Sequence, residues 1–259
     1  ALMGSSLVVS VVSHGHGAHI QRLLECLGSA RLAPMSRVVL TLNIPEPEPL
    51  APATGWPFVL EIRRNAQPLG FGCNHNRALA NAREAFVCVI NPDVYWGAQE
   101  EPLQELLALA ARPGLALAYP PQIGEDGTLQ DFERELPSFW NLLRRKLHGR
   151  VEQRVEWVNA ACLVLGRDSW MRLRGFDEGF YMYCEDVDLC LRLRVLGGEL
   201  RRGELPVVHA GQRASRRSLR HGAWHVASLL RLWSRPAYRK ARALPQAAPS
   251  LRSLHGEPS

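Results

Sequence analysis

An α/β fold with a mostly parallel central sheet is predicted by three features. Short apolar runs of β character recur along the chain, helix-patterned stretches separate them, and polar residues stand just past several of the runs. Residues 7–12 (Leu-Val-Val-Ser-Val-Val) read as a buried strand. A helix over about 18–29 follows, with Ile20, Leu23, Leu24 and Leu27 at helical spacing. Residues 38–42 and 58–62 give two more strands, and the Pro-rich segment 44–57 between them reads as a loop. A helix over about 74–84 leads into a strand at 86–90, a helix over about 101–111 into a strand at 115–119, and residues 124–149 into a loop with a short helix. Strands joined by helical crossovers form parallel sheets covered on both faces, and these bind ligands at the carboxyl ends of their strands. The residues at those ends are His14 and His16, Asn43, Asn65, and Asn91-Pro92-Asp93.

Composition narrows the class. The 259 residues are 46% hydrophobic and 22% charged, as in a soluble globular protein, and no run approaches the 18 apolar residues of a membrane span. The N-terminal residues lack a basic segment followed by a long apolar one, so no secretory signal is expected. The six cysteines form no CxxC pair and mostly lie in apolar segments, which suits buried free thiols in a reducing cytosol. The net charge of +6 is concentrated: residues 205–256 hold ten Lys or Arg and no acid, and the remainder is slightly acidic.

Three segments can carry chemistry. Asn91-Pro92-Asp93 places a carboxylate just past a buried strand, where it can hold a divalent cation on a diphosphate; the same triplet is also ordinary turn chemistry. Glu185, Asp186 and Asp188 open a helix that stops at Gly197-Gly198. Acids in a first turn stabilise a helix through its dipole. The preceding Phe180, Tyr181, Met182 and Tyr183, however, would desolvate a neighbouring carboxylate and raise its basicity, as a general base requires. With helical spacing Asp186, Leu189, Cys190, Leu193 and Leu196 share the face expected toward the core. His209 ends the short apolar run 205–209 and suits either a metal ligand or a structural histidine.

In this order the segments resemble family 2 glycosyltransferases of the GT-A fold, most closely the bacterial rhamnosyltransferases. The resemblance runs from about residue 7 to 211. It is carried by Gly175-Phe176-Asp177-Glu178 with Phe180, Met182, Tyr183, Glu185-Asp186, Asp188-Leu189-Cys190 and Arg192, by Asn91-Pro92-Asp93, and by Gly70-Phe71-Gly72-Cys73-Asn74-His75-Asn76. It implies a GT-A domain over 1–212 and a basic C-terminal extension over 213–259, helical and then flexible. It also implies that Ser13 and His14 cradle the nucleotide base, with Asn43, Asn65, Gly70, Asn74, Asn91 and Asp93 on the nucleotide or donor. Asp93 and His209 would bind a divalent cation, Mg²⁺ or Mn²⁺. Asn159 and Cys162 fall near the donor sugar, and Asp186 is the base, with Glu185 beside it and Asp188 structural. Two positions depart from the family: Asn43 stands where an aspartate usually reads the base, and Asn91 replaces the first acid of the metal motif.

The implied activity is inverting transfer of a sugar, L-rhamnose from dTDP-rhamnose or a UDP-linked sugar, to a hydroxyl of a bacterial cell-surface glycan or lipid-linked acceptor. The expected location is the cytoplasm. The basic tail, with Trp224, Leu229, Leu230 and Trp233 among arginines, suits either the anionic inner face of the cytoplasmic membrane or a helix packed on the catalytic domain. A catalytically silent sugar-nucleotide-binding or scaffold protein of the same fold is the alternative. A nucleic-acid-binding module is disfavoured by the acidic body and the lack of a recognition motif.

Overall fold

The computed structural model describes residues 6–30, 36–138, 153–211, 219–245 and 247–255. A seven-stranded sheet forms its centre: β1 (Leu7–Ser13), β2 (Arg37–Leu42), β3 (Val59–Arg64), β4 (Phe86–Ile90), β6 (Ala116–Tyr119), β10 (Cys162–Gly166) and β11 (Glu199–Arg202), in the order β11-β6-β10-β4-β1-β2-β3. All neighbouring pairs are parallel except those made by β10, which runs against both β4 and β6. The mostly parallel sheet expected from the crossover pattern is therefore present. The central strands β1, β2 and β4 are almost continuously apolar because helices cover both their faces.

Helices α1 (Gly17–Ser29) and α3 (Pro102–Ala110) cover one face, burying Leu23, Leu24, Leu103 and Leu106 against Val9, Val11 and Ile90. The other face receives α2 (Phe71–Leu79), α4 (Arg167–Leu173) and α5 (Glu185–Val195). Helix α2 begins three residues before the expected start and stops at Leu79. Its first turn contains Gly72, a poor helix former, so the periodic signal was weak just where the helix begins.

A smaller sheet, β5 (Val94–Tyr95), β12 (Val207–His209) and β7 (Gln122–Ile123), stands beyond the end of β4. A two-stranded ribbon, β8 (Glu133–Arg134) with β9 (Trp157–Val158), lies near it. Of the loop and short helix expected at 124–149, residues 124–130 close a hairpin onto β7, and 139–152 lie outside the described residues.

Helix α5 differs from its expected form. Leu189, Cys190 and Leu193 face the sheet as anticipated, but Val187 and Leu191 are buried as well and Leu196 is 45% exposed. The cause is the C-terminal region. Helices α6 (Leu219–Ser234) and α7 (Pro236–Ala241) pack Leu232, Tyr238 and Ala241 onto Val187 and Leu191, giving α5 a second apolar face. Gly197, at φ +77°, ends α5, and Gly198 N–H donates to the Leu193 carbonyl at 2.9 Å. Further on, residues 248–250 pair with 153–155, and the short α8 (Leu251–His255) closes the described chain.

Candidate active site

Because β1, β2, β3 and β4 are parallel, the residues following them gather at one sheet edge. His14, Asn43 and Asn65 form the first group. Asn43 is buried and its amide is fully engaged: Nδ2 donates to the Leu69 carbonyl (3.1 Å) and lies 3.2 Å from His14 Nδ1. Its Oδ1 accepts from Leu69 N–H (2.9 Å), Asn65 Nδ2 (2.8 Å) and Asn74 Nδ2 (3.1 Å). A carboxylate could not donate to Leu69, so asparagine is the residue this loop arrangement demands. Ser13 is fully buried, with Oγ accepting from His16 N–H at 3.2 Å, whereas His14 is exposed at the edge.

The second group sits on the turn after β4. Asn91 N–H donates to the Ala161 carbonyl (2.8 Å), Val94 N–H to the Asn91 carbonyl (3.3 Å) and Ala210 N–H to the Asp93 carbonyl (3.0 Å). Antiparallel pairing of β12 with β5 then brings His209 opposite Val94, leaving His209 Nε2 3.5 Å from Asp93 Oδ1. Burial alone would raise the Asp93 pKa. The hydrogen bond and charge of His209, helped by the backbone and His16, outweigh it and hold the carboxyl below its usual value. Two mostly buried donors so spaced can share one divalent cation, since oxygen and nitrogen ligands of Mg²⁺ or Zn²⁺ stand at about 2.0–2.1 Å. Among the described residues no third His, Cys, Asp or Glu joins them.

The third group is the pair Glu185 and Asp186 at the start of α5. They follow two consecutive residues in the left-handed region, Tyr183 (φ +72°) and Cys184 (φ +65°), neither of them glycine. Such backbone costs on the order of 1–3 kcal/mol per residue and persists only where surroundings impose it. Here two sides impose it. On one, Gly70 and Phe71 meet Tyr181: Phe71 N–H donates to the Tyr181 carbonyl (3.2 Å), and a Cβ on Gly70 would stand 2.5 Å from that oxygen. Asn76 clamps the Phe176 backbone with bonds of 2.8 and 2.9 Å. On the other, Ser228 Oγ donates to the Met182 carbonyl (2.8 Å), and Trp224 and His225 lie against Tyr181 and Tyr183. Arg231 Nη2 bridges both Asp177 carboxylate oxygens (2.9 and 3.0 Å), and a Cβ on Gly179 would require that guanidinium to shift.

Both carboxyls are pushed above the ordinary carboxylate range. For Glu185 the causes are burial and then the charge of Asp186, and its Oε2 has no hydrogen-bond partner among the described residues. For Asp186 burial leads, offset by backbone N–H groups, including those of Val187 and Ala160, and by Arg134. Asp188 is different. Fully buried, it pairs within α5 with Arg192 Nε at 2.7 Å, and its contact with Arg235 Nε at 3.4 Å ties α5 to the start of α7.

Asn159 forms a reciprocal amide pair with Gln122 (2.6 and 3.0 Å), and Cys162 is buried in β10. The structure thus gathers His14, Asn43, Asn65 and Asn74 in one network, Asp93 and His209 in a second, and Glu185 and Asp186 in a third. Gly70 is placed against Tyr181 instead. Sequence reasoning missed Gln130, whose amide bonds His209 at two points, and Gln122. Both lie in a hairpin too short to show a periodic pattern. His16, which couples electrostatically to Asp93, was visible only as a strand-end residue.

No family model matches the chain. Individual proteins do. An N-acetylglucosaminyl-diphospho-decaprenol L-rhamnosyltransferase of Mycobacterium tuberculosis is 30% identical over 225 residues, spanning 75% of this chain and 72% of its own. The rhamnosyltransferase WbbL of Escherichia coli K12 is 38% identical over 85 residues, 31% of each chain. Among solved structures, the mannosyltransferase PcManGT of Pyrobaculum calidifontis, in complex with GDP-Man and Mn²⁺, superposes with a TM-score of 0.59 at 15% identity, covering 92% of this chain and 73% of that one. TarS of S. aureus gives 0.59 at 12% identity, covering 91% and 41%. These structural likenesses carry the GT-A fold, and the sequence relatives carry the family. The chain belongs to the GT-A family 2 glycosyltransferases, among the rhamnosyltransferase-like proteins.

Proposed function

We propose that the protein transfers a sugar, L-rhamnose from dTDP-rhamnose, to a hydroxyl of a bacterial cell-envelope glycan or lipid-linked acceptor, with inversion at the anomeric carbon. The observation that carries this reading is the pair Glu185–Asp186. Its pKa values are raised by burial, and it is held by strained backbone at the same sheet edge as Asp93 and His209. The names of the M. tuberculosis and E. coli relatives support the donor sugar, and that of the M. tuberculosis protein a lipid-diphosphate acceptor.

In the proposed reaction Asp186 takes the proton of the acceptor hydroxyl while that oxygen bonds to the anomeric carbon. The bond from that carbon to the diphosphate breaks, and its electron pair leaves with the nucleoside diphosphate. One displacement inverts the centre once. Asp93 and His209 fit a divalent cation, Mg²⁺ or Mn²⁺, which when bound would neutralise charge growing on the diphosphate. PcManGT and GalNAc-T7 were both solved with Mn²⁺, which supports that reading. Glu185, its carboxyl raised above the usual range by burial, stands beside the base, and the Asn43 network shapes the floor beneath the nucleotide.

No helix among the described residues is long and apolar enough to cross a membrane. The outward face of α6 nevertheless bears Val226 and Leu230, 57% and 60% exposed, within an acid-free segment. This supports cytoplasmic action at the inner membrane surface, where a lipid-borne acceptor would lie.

A donor screen tests the proposal. Release of nucleoside diphosphate is measured for dTDP-, UDP- and GDP-sugars, with and without acceptor and with Mg²⁺, Mn²⁺ or chelator. Acceptor-dependent dTDP release from dTDP-rhamnose supports it. Release from another donor corrects the sugar, and binding of donor without any release identifies a catalytically silent protein.

A further inference from the structure

We infer that Gln130 is a positioning residue that fixes the ring orientation and tautomer of His209, so that Nε2 offers its lone pair to a cation shared with Asp93. The inference rests on the proposed cation site and adds to it a residue outside the ligand pair.

Hydrogen-bond chemistry carries the argument. The Gln130 carboxamide contacts His209 twice: Nε2 donates to the His209 backbone carbonyl at 2.7 Å, and Oε1 lies 3.1 Å from His209 Nδ1. A carbonyl only accepts, so the NH₂ end of the amide must face it. That leaves the amide oxygen, also only an acceptor, facing Nδ1, which must therefore carry a proton. That leaves Nε2, 3.5 Å from Asp93 Oδ1, as the nitrogen free to exchange its partner: a proton when the ring is charged and pairs with Asp93, a cation when the ring is neutral and Nε2 is bare. With the glutamine reversed, the amide oxygen would meet the His209 carbonyl, acceptor against acceptor, and the 2.7 Å bond would be lost. Backbone and side chain of His209 are gripped at once, so neither ring rotation nor strand slippage is free.

Gln130 is itself held. Its N–H donates to the Gln122 carbonyl (2.9 Å), and Gly124 N–H to the Thr128 carbonyl (2.8 Å), closing the 122–130 hairpin. The side chains of Asp126 and Thr128 tie its tip at 2.6 Å. The hairpin strand β7 runs parallel to β12, with Gln122 beside Val207, so His209 is aligned by strand pairing as well as by the amide. Outer partners of this kind set ligand orientation in metal sites, and their loss commonly lowers metal affinity by about 10–100-fold.

The test uses the full chain with Gln130→Leu and Gln130→Glu. Mn²⁺ binding is followed by electron paramagnetic resonance in the presence of dTDP, the His209 tautomer by ¹⁵N NMR without metal at alkaline pH where the ring is neutral, and folding by circular dichroism. Gln130→Leu should bind Mn²⁺ about 10–100-fold more weakly and show a mixed tautomer with an unchanged fold. Gln130→Glu keeps the acceptor for Nδ1–H, so it should retain the Nδ1–H tautomer and bind Mn²⁺ at least as well as Gln130→Leu does. If Gln130→Leu binds Mn²⁺ like the parent and keeps the tautomer, the inference fails while the cation site stands. If the parent chain with dTDP binds no Mn²⁺, the cation site fails and the inference with it. Should Gln130→Leu not fold, a Gln130→Glu variant with a mixed tautomer would equally overturn the inference.

Discussion

The backbone N–H of Asn91 donates to the carbonyl oxygen of Ala161 at 2.8 Å, and the adjacent amide of Ala160 supports Asp186. The short turn at residues 160–161 thus braces both the turn that presents Asp93 and the proposed base. The two carboxylates are referenced to each other through backbone, which does not relax when a side chain is changed.

Asp186→Asn should therefore remove the base without disturbing Asp93. We expect transfer to fall by about 10²–10⁴-fold, the usual worth of a general base, with donor affinity within a few-fold of the parent. Initial rates of diphosphate release and donor calorimetry check this. A variant that still transfers sugar at the parent rate would remove Asp186 from the mechanism.

The raised pKa values predict how rate depends on pH. The base must be ionised to act, so transfer should decline on acidification at a pH above the ordinary carboxylate range of about 4. A pH profile of kcat/KM with saturating metal reads the limb directly. A limb at or below pH 4 would contradict the burial of this pair.

Stability should respond with the opposite sense. Both carboxyls have folded pKa values above their unfolded ones, so the folded chain holds these protons more tightly. Their contribution is full below the unfolded pKa and is lost as pH rises through the folded values. Glu185→Gln should then melt higher than the parent at neutral pH, with the gap closing near pH 4. Thermal melts across that range decide it.

Arg192→Met strands the fully buried Asp188 with only the longer Arg235 contact. A loss of about 3–5 kcal/mol is expected, as for other buried pairs broken on one side. The exposed Arg167–Asp168 pair serves as a control: Asp168→Ala should cost under about 1 kcal/mol. Denaturant titration compares the two.

Asn43→Asp restores the residue usual in the family and should nonetheless be harmful. The new oxygen would face the Leu69 carbonyl, acceptor against acceptor, in a buried network. A stability loss of about 1–3 kcal/mol and weaker donor binding are expected. Melting and donor calorimetry would show the reverse if Asn43 were an isolated base-reading side chain.

The sheet was legible because strands such as 86–90 are apolar without interruption, and α1 because Ile20, Leu23, Leu24 and Leu27 mark one face. Asp93, Glu185 and Asp186 were legible because chemistry and order coincide along the chain. What stayed hidden depends on pairings distant in sequence. Gln130 meets His209 across 79 positions, and Arg231 meets Asp177 across 54; nothing local in either residue announces its partner. The two-sided burial of α5 was hidden for the same reason, since the cluster around Val187 and Leu191 is completed by Leu232, Tyr238 and Ala241 of α6 and α7.

That late arrival has a consequence for biosynthesis. A nascent chain can complete its seven-stranded sheet once residue 202 has emerged. The cluster around Val187 and Leu191 stays incomplete, and the left-handed backbone before Glu185 lacks one of its two supports, until residues 228–241 leave the ribosome. Support for the acidic pair is therefore completed only after the sheet: a chain ending before residue 228 would carry Glu185 and Asp186 yet lack the Ser228 contact and the cover of α6 and α7.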